Sequence, residues 1–215
     1  MEYTCSSRVT NWYQEASVKI FSYVVDHDNG FAPNPYSNLC TLCRCKFNET
    51  GEKTLGQKGR KNVVELAKVG DWIIGTGGES ERSAGHGKLI YAMQVDEKVT
   101  RGEYFSQRRF APKKPDVNGE YKRRMGDNLC PKDDYQRNNQ FALVSSNYYY
   151  FGRNAVDIRE FRLERNPRGF HYVNGEDFRP FLEWLTSSFR QGIHGDPHGM
   201  SLDEHERNKK CKSSC

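Results

Sequence analysis

The residue types best suited to contacting a flat polar ligand sit in Phe31-Ala-Pro-Asn-Pro-Tyr36. Two prolines one residue apart forbid helix and make the segment stiff and extended. Asn34, held between them, carries both donors and an acceptor and can pair with the edge of a base. The same carboxamide can instead bond its own backbone and build a turn. A second polar pair is Asp127-Asn128, after Gly126. It could bind an amino group, a ribose hydroxyl or a metal, or form an Asx turn. A third group is cationic: between Arg101 and Arg124 there are eight basic residues against three acids, a local excess that matches the net charge of the chain, +5. Arg108, Arg109 and Lys113 in this stretch could hold phosphate; a solvated, basic loop is the alternative. Aromatic faces on or beside predicted strands (Trp72, Tyr91, Tyr104, Phe105, Tyr150 and Phe151) could stack a base, or form core.

Seven cysteines are present: Cys5, Cys40, Cys43, Cys45, Cys130, Cys211 and Cys215. The odd number and the lack of an apolar signal core at the start suggest reduced thiols in a cytoplasmic protein. Cys40, Cys43 and Cys45 are dense enough for a metal knuckle, but a closed zinc site needs four ligands, and Cys130 or a remote histidine would have to complete it. Buried free thiols are the alternative, and no cofactor is expected. In His194-Gly-Asp-Pro-His198 the glycine and proline oppose a helix, so a surface loop is expected rather than a metal site. An enzyme would draw on Asp127 as general base and on Cys45 or His194 as nucleophile or acid. The chain has no nucleophile elbow, Walker loop, HExxH, dinucleotide fingerprint or zinc-deaminase pattern.

These groups need a scaffold. The 215 residues are 35% hydrophobic, with a mean hydropathy of −0.90, and suit one domain with a small core enriched by aromatics. No apolar run is long enough to cross a bilayer. Val18–Val25, Asp71–Thr76, Lys88–Val95, Phe141–Ser145 and Tyr148–Phe151 read as strands, the last two as a pair around Ser146-Asn147. Asn62 can cap a short helix that stops at Gly70. The clearest helix covers 177–190, with Phe178, Phe181, Leu182, Leu185 and Phe189 on one face, Asp177 as cap and Pro180 in the first turn. Residues 98–135 show no period. The expectation is an α+β fold: a small mixed β-barrel or strongly curved sheet with few flanking helices. It would occupy residues 18–200, between an N-terminal extension (1–17) and a flexible polar tail (201–215).

Several motifs occur in a fixed order: Gly30-Phe-Ala-Pro-Asn-Pro-Tyr36, Leu39-Cys-Thr-Leu, Val69-Gly-Asp-Trp-Ile-Ile-Gly-Thr76, Lys88-Leu-Ile-Tyr-Ala-Met-Gln-Val95, Tyr104-Phe with Arg109-Phe and Lys113-Lys-Pro, Gly126-Asp-Asn, Tyr150-Phe-Gly and Gly195-Asp-Pro. Over residues 18–198 the series resembles the second of the nucleotide-modification-associated domain families. The resemblance implies a setting in bacteria and phages, around the making of modified DNA bases. A second resemblance, carried by the Gly70-Asp71 turn into an apolar strand, is to PUA-like folds, including EVE and ASCH domains, with Asp71 structural. Together they imply a protein that binds a nucleotide or a nucleic acid with a modified base. Asn34, Asp127 and Asn128 would read polar edges, and Trp72, Tyr91, Tyr150 or Phe151 would stack. The alternatives are an enzyme of modified-base synthesis or nucleotide turnover, and a protein that sequesters a signalling nucleotide. The sequence gives no oligomeric state.

Overall fold

The computed structural model describes residues 18–28, 30–43, 62–81, 83–113, 141–163 and 169–198. Asp127, Asn128, Cys45, Cys130 and the basic residues from Lys114 to Arg124 lie outside them.

The strands read from β-branched and aromatic runs form the centre. β1 (Ile20–Val25), β3 (Trp72–Gly77) and β4 (Lys88–Gln94) lie side by side, β1 parallel to β3 and β3 antiparallel to β4. They belong to a seven-stranded mixed sheet ordered β10-β7-β4-β3-β1-β9, with β8 (Val156–Asp157) on β4. Here β7 is Tyr148–Tyr150, β9 Phe170–Val173 and β10 Gly192–Ile193. A three-stranded sheet runs β2 (Cys40–Leu42), β6 (Phe141–Ser145), β5 (Glu97–Thr100). The class is α+β, as expected. Of the two expected forms the described residues take the open sheet: β9 and β10 end its path, and no barrel closes.

Both faces of the large sheet are covered. Phe21, Tyr23, Ile73, Met93 and Tyr150 pack against Cys40, Leu42 and Leu143 of the small sheet and against α1 (Val63–Leu66). Ile20, Trp72, Ile74, Leu89 and Phe151 pack against Phe178, Phe181 and Leu185 of α3 (Gly175–Ser188). The outer face of the small sheet carries α2 (Arg101–Ser106), with Tyr104 stacked on Phe110 at 4.6 Å.

Local chemistry explains the helix starts. Asn62 and Glu65 form a capping box on α1, and Thr100 and Glu103 form another on α2. Lys98 Nζ donates to the carbonyls of Glu65 (2.6 Å) and Ala67 (3.0 Å), which the short α1 would otherwise leave open. α3 starts earlier than its sequence pattern predicts: Asn174 Oδ1 accepts from Asp177 N at 2.7 Å, so Asn174 is the cap rather than Asp177, and Pro180 lies inside the second turn. Two further expectations are corrected. β6 and β7 do not pair around Ser146-Asn147: β6 pairs with β2 and β5, and β7 with β4 and β10. The dipeptide is a corner where the chain leaves one sheet for the other. The stretch without a period is structured at its start, as β5, α2 and the 3-10 segment Arg108–Lys113.

Asp71 ties the sheet to its approach. Its carboxylate accepts from Lys19 N and Lys68 N, each at 2.8 Å, and it is structural, as the second resemblance implies. Tyr23, Gly75, Tyr91 and Tyr150 stand in one row across β1, β3, β4 and β7. A Cβ on Gly75 would sit 2.1 Å from the Tyr91 ring. Glycine therefore makes room for the ring, and Tyr91 Oη reaches Tyr23 Oη at 2.6 Å. Gly75→Ala must push a fully buried ring aside. Thermal and urea unfolding should show a loss of about 1–3 kcal/mol, the usual range for overpacking.

Candidate functional site

Asp28 lies just past the end of β1 and is 1% exposed. Its Oδ1 accepts from Tyr150 Oη (2.6 Å) and Gly30 N (3.3 Å), and its Oδ2 from His198 N (3.1 Å). Burial pushes its carboxyl above the ordinary value, against the lowering effect of these donors. Tyr150 is pushed well above its own ordinary value by burial and by the neighbouring carboxyl, so its hydroxyl stays protonated and donates.

Three segments meet at this carboxylate. The first is the proline loop. Gly30 has φ +69°, and a Cβ there would lie 2.5 Å from Pro197 Cγ; both its backbone sign and its neighbour require glycine. Asn34 exchanges backbone hydrogen bonds with Thr41, both at 2.9 Å, and its Oδ1 accepts from Tyr36 N (3.3 Å) and Lys113 Nζ (3.0 Å). The carboxamide oxygen thus serves the loop, the second of the two roles open to it. Tyr148 Oη donates to Pro35 O at 2.7 Å and pins the loop to the large sheet. Tyr36 and Phe31 are left half-buried.

The second segment is β7 with the 3-10 turn Gly152–Asn154 behind it. The third is the strap His194–His198. His194 N donates to Tyr150 O (2.7 Å), Arg153 N to Asp196 O (2.8 Å), Arg153 Nε to Pro197 O (3.1 Å) and Asn154 Nδ2 to His194 O (2.6 Å). Gly152 and Gly195 allow this approach, since a Cβ on either would fall 2.1–2.2 Å from the opposite backbone.

Lys113 is 1% exposed, and its Nζ donates to Asn34 O (2.8 Å), Asn34 Oδ1 and Leu39 O (2.6 Å). Burial lowers it from 10.5 to about 8. It is a clamp on the proline loop, and its burial is at odds with phosphate binding from solvent. Arg109 is exposed and makes a bidentate pair with Glu97 (2.6 and 2.7 Å); Arg108 is exposed. Trp72 packs on Phe178, and Tyr91 is fully buried, so these two expected stacking platforms are core. Phe151 is core as well, stacked on the His194 ring at 4.8 Å. His194 Nε2 lies 2.7 Å from Arg190 O. Its ring is used in packing and does not join the Asp28 group.

Cys40 is buried and Cys43 half-buried, and burial pushes their thiols up to about 12 and about 11. No group of three or more metal-ligating side chains occurs among the described residues. The junction thus gathers the buried Asp28 carboxyl with its donors from Tyr150, Gly30 and His198, and beside it the half-buried rings of Tyr36 and Phe31. Asp28 itself was readable only as one of several turn formers in Asp26–Gly30. The available signal was a carboxylate three residues past a strand buried along its whole length.

A family profile described as nucleotide modification associated domain 2 matches residues 17–141 and 130–204. No curated protein sequence matches the chain. Among solved structures, a point mutant of ASCH from Zymomonas mobilis is similar, with a TM-score of 0.36 and 9% identity, covering 77% of this chain and 97% of that one. The ASCH structure from the same organism gives 0.35 and 9%, covering 81% and 98%.

Lys113→Met removes the donor to Leu39 O, and a buried carbonyl without its donor costs about 1–3 kcal/mol. The folded lysine releases its proton near pH 8 and the unfolded one near 10.5. Over that interval the unfolded chain holds more protons, and the wild type gains stability as pH rises. Cys40 and Cys43 act in the opposite sense above pH 9, where unfolded thiols ionise first. Urea unfolding of both proteins should show the gap between wild type and Lys113→Met widening from pH 7.5 to 9; a constant gap contradicts the assignment.

Proposed function

Because the chain belongs to the nucleotide modification associated domain 2 family, we propose that it binds a nucleotide or a modified base at the junction around Asp28. One observation carries this reading. The proline loop, β7 with its following turn, and the strap are far apart in sequence, and they converge on one buried carboxylate. All three contain motifs on which the family resemblance rests. A convergence of this kind sets aromatic and polar groups at fixed positions, as recognition of a flat heterocycle requires.

In this reading Tyr36 and Phe31, half-buried on the stiff loop, supply stacking surface. They replace Trp72, Tyr91, Tyr150 and Phe151, all of which are buried in the core. Asp28 and Tyr150 fix the frame and set the polarity beneath it. Asp127 and Asn128 keep the role the sequence suggests, as readers of polar edges. Among the described residues no helix is long and apolar enough to cross a membrane. The cellular context proposed is DNA base modification, or the conflict between phage and host in which such bases arise.

Calorimetric titration with plain and base-modified deoxynucleotides, and with DNA carrying the same bases, tests the reading at low salt. Binding of at least one class is expected. Tyr36→Ala should weaken it by about tenfold or more, since stacking of one base contributes about 1–3 kcal/mol. The absence of binding by every nucleotide and DNA would sink the proposal.

A further inference from the structure

Asn34 is 4% exposed, and its donors leave the carboxamide one orientation. Lys113 Nζ meets three oxygens: Asn34 O at 2.8 Å, Asn34 Oδ1 at 3.0 Å and Leu39 O at 2.6 Å. Tyr36 N donates to the same Oδ1 at 3.3 Å. An ammonium and a backbone N–H are donors only. Turning the amide over would set its NH2 group against both of them. The two lone pairs of Oδ1 are therefore in use, and that oxygen has nothing left with which to accept from a ligand.

The other end of the carboxamide is not used in this way. Asn34 Nδ2 makes no hydrogen bond to any described residue. Nor is it one of the two buried side-chain atoms without a partner among those residues, Ser22 Oγ and His198 Nδ1. The nitrogen therefore keeps access to solvent, although the residue around it is buried. It lies beside Tyr36, across one carboxamide from the Tyr36 N–H. The Tyr36 ring in turn comes within 3.4 Å of the place a Cβ on Gly30 would take, and Gly30 N bonds Asp28. A donor thus opens next to the ring that supplies stacking, at the junction around the buried carboxyl. The prolines on either side of Asn34, and its backbone pair with Thr41 at 2.9 Å each way, keep it from turning away.

We propose that Asn34 selects the base by presenting a donor alone, and that the ligand is an oxo base, with a carbonyl at pyrimidine C4 or purine C6. This rests on the nucleotide-binding reading above and names the class of base it takes. An asparagine with both ends available pairs with a donor and an acceptor together, as on adenine. With its oxygen engaged by Lys113 and Tyr36, Asn34 meets only an acceptor. Cytosine and adenine carry an amino group at that ring position. Two donors would then face each other, and each would lose its water without gaining a partner. A modification at another ring atom leaves the carbonyl in place, so an altered oxo base presents the same group.

The test compares two matched pairs of probes on the full chain by calorimetry near neutral pH: the 5′-monophosphates of deoxyuridine and deoxycytidine, and those of deoxyinosine and deoxyadenosine. Within each pair the rings differ at this position and in the proton on the adjacent ring nitrogen. In at least one pair the oxo probe should bind about tenfold or more tightly than its amino counterpart. Asn34→Asp puts an oxygen where Nδ2 stands and keeps one for Lys113 and Tyr36 N, at almost the same volume. It should reverse the order, because an acceptor favours the amino base, whereas Tyr36→Ala should weaken both members of a pair alike. The wild-type comparison decides even where Asn34→Asp does not fold. Equal affinity within both pairs, a preference for the amino probe, or an oxo preference unchanged in Asn34→Asp overturns the assignment while leaving nucleotide binding standing. Absence of binding by all four probes, and by DNA carrying the same bases, overturns the nucleotide reading itself and this assignment with it.

Discussion

A carboxylate removed from water is held in place by its donors, and those of Asp28 come from parts of the chain that share no local reason to be together. Tyr150 belongs to a strand, Gly30 to the loop that follows β1, and His198 to a strap 170 residues away. Loss of any one leaves a buried oxygen short of a partner, which is costly out of proportion to a single surface hydrogen bond. The three contacts are therefore mutually dependent. The glycines at 30, 152 and 195 fit the same constraint, because each stands where an added carbon would collide with the segment it meets. The junction is specified as much by the atoms left out as by those present.

What was legible in the sequence follows from the range of the forces involved. β1, β3 and β4 could be read because they are buried on both faces, so their composition is set by the core wherever the chain goes next. Asn62 could be read because a cap bonds within its own turn. The Ser146-Asn147 corner could not: two short apolar strands flanking a polar dipeptide have the same local sequence whether they pair with each other or separate into two sheets. The partners β2 and β5, remote in sequence, decide it. The cap of α3 was misplaced by three residues for a related reason. Asn174 and Asp177 are both good caps, and the helix uses the first, which follows β9 directly.

The site was partly legible for the same reasons. The proline loop was recognisable from its stiffness, and Tyr150 from its motif, and the two do lie together, bridged by Asp28 and by the Tyr148 contact to Pro35. Within the cationic stretch, charge type says nothing about burial. Of its described members, Lys113 is inside, clamping carbonyls, and Arg109 is engaged by Glu97.

The proline loop is held from both sides. Tyr148 of the large sheet bonds Pro35, and Lys113, carried by the 3-10 segment behind the small sheet, bonds Asn34 and Leu39. The prolines limit the backbone of the free loop, and these anchors limit what remains. A ring presented from such a frame gives up little freedom when a ligand arrives, so more of the contact energy appears as affinity. A buried lysine is an expensive anchor at neutral pH, since burial disfavours its charged form. Its retention is intelligible if loop rigidity, rather than net stability, is what it supplies. An apolar side chain of the same volume would fill the space and remove the desolvation cost, but it would leave Leu39 O without its donor and the loop free to shift.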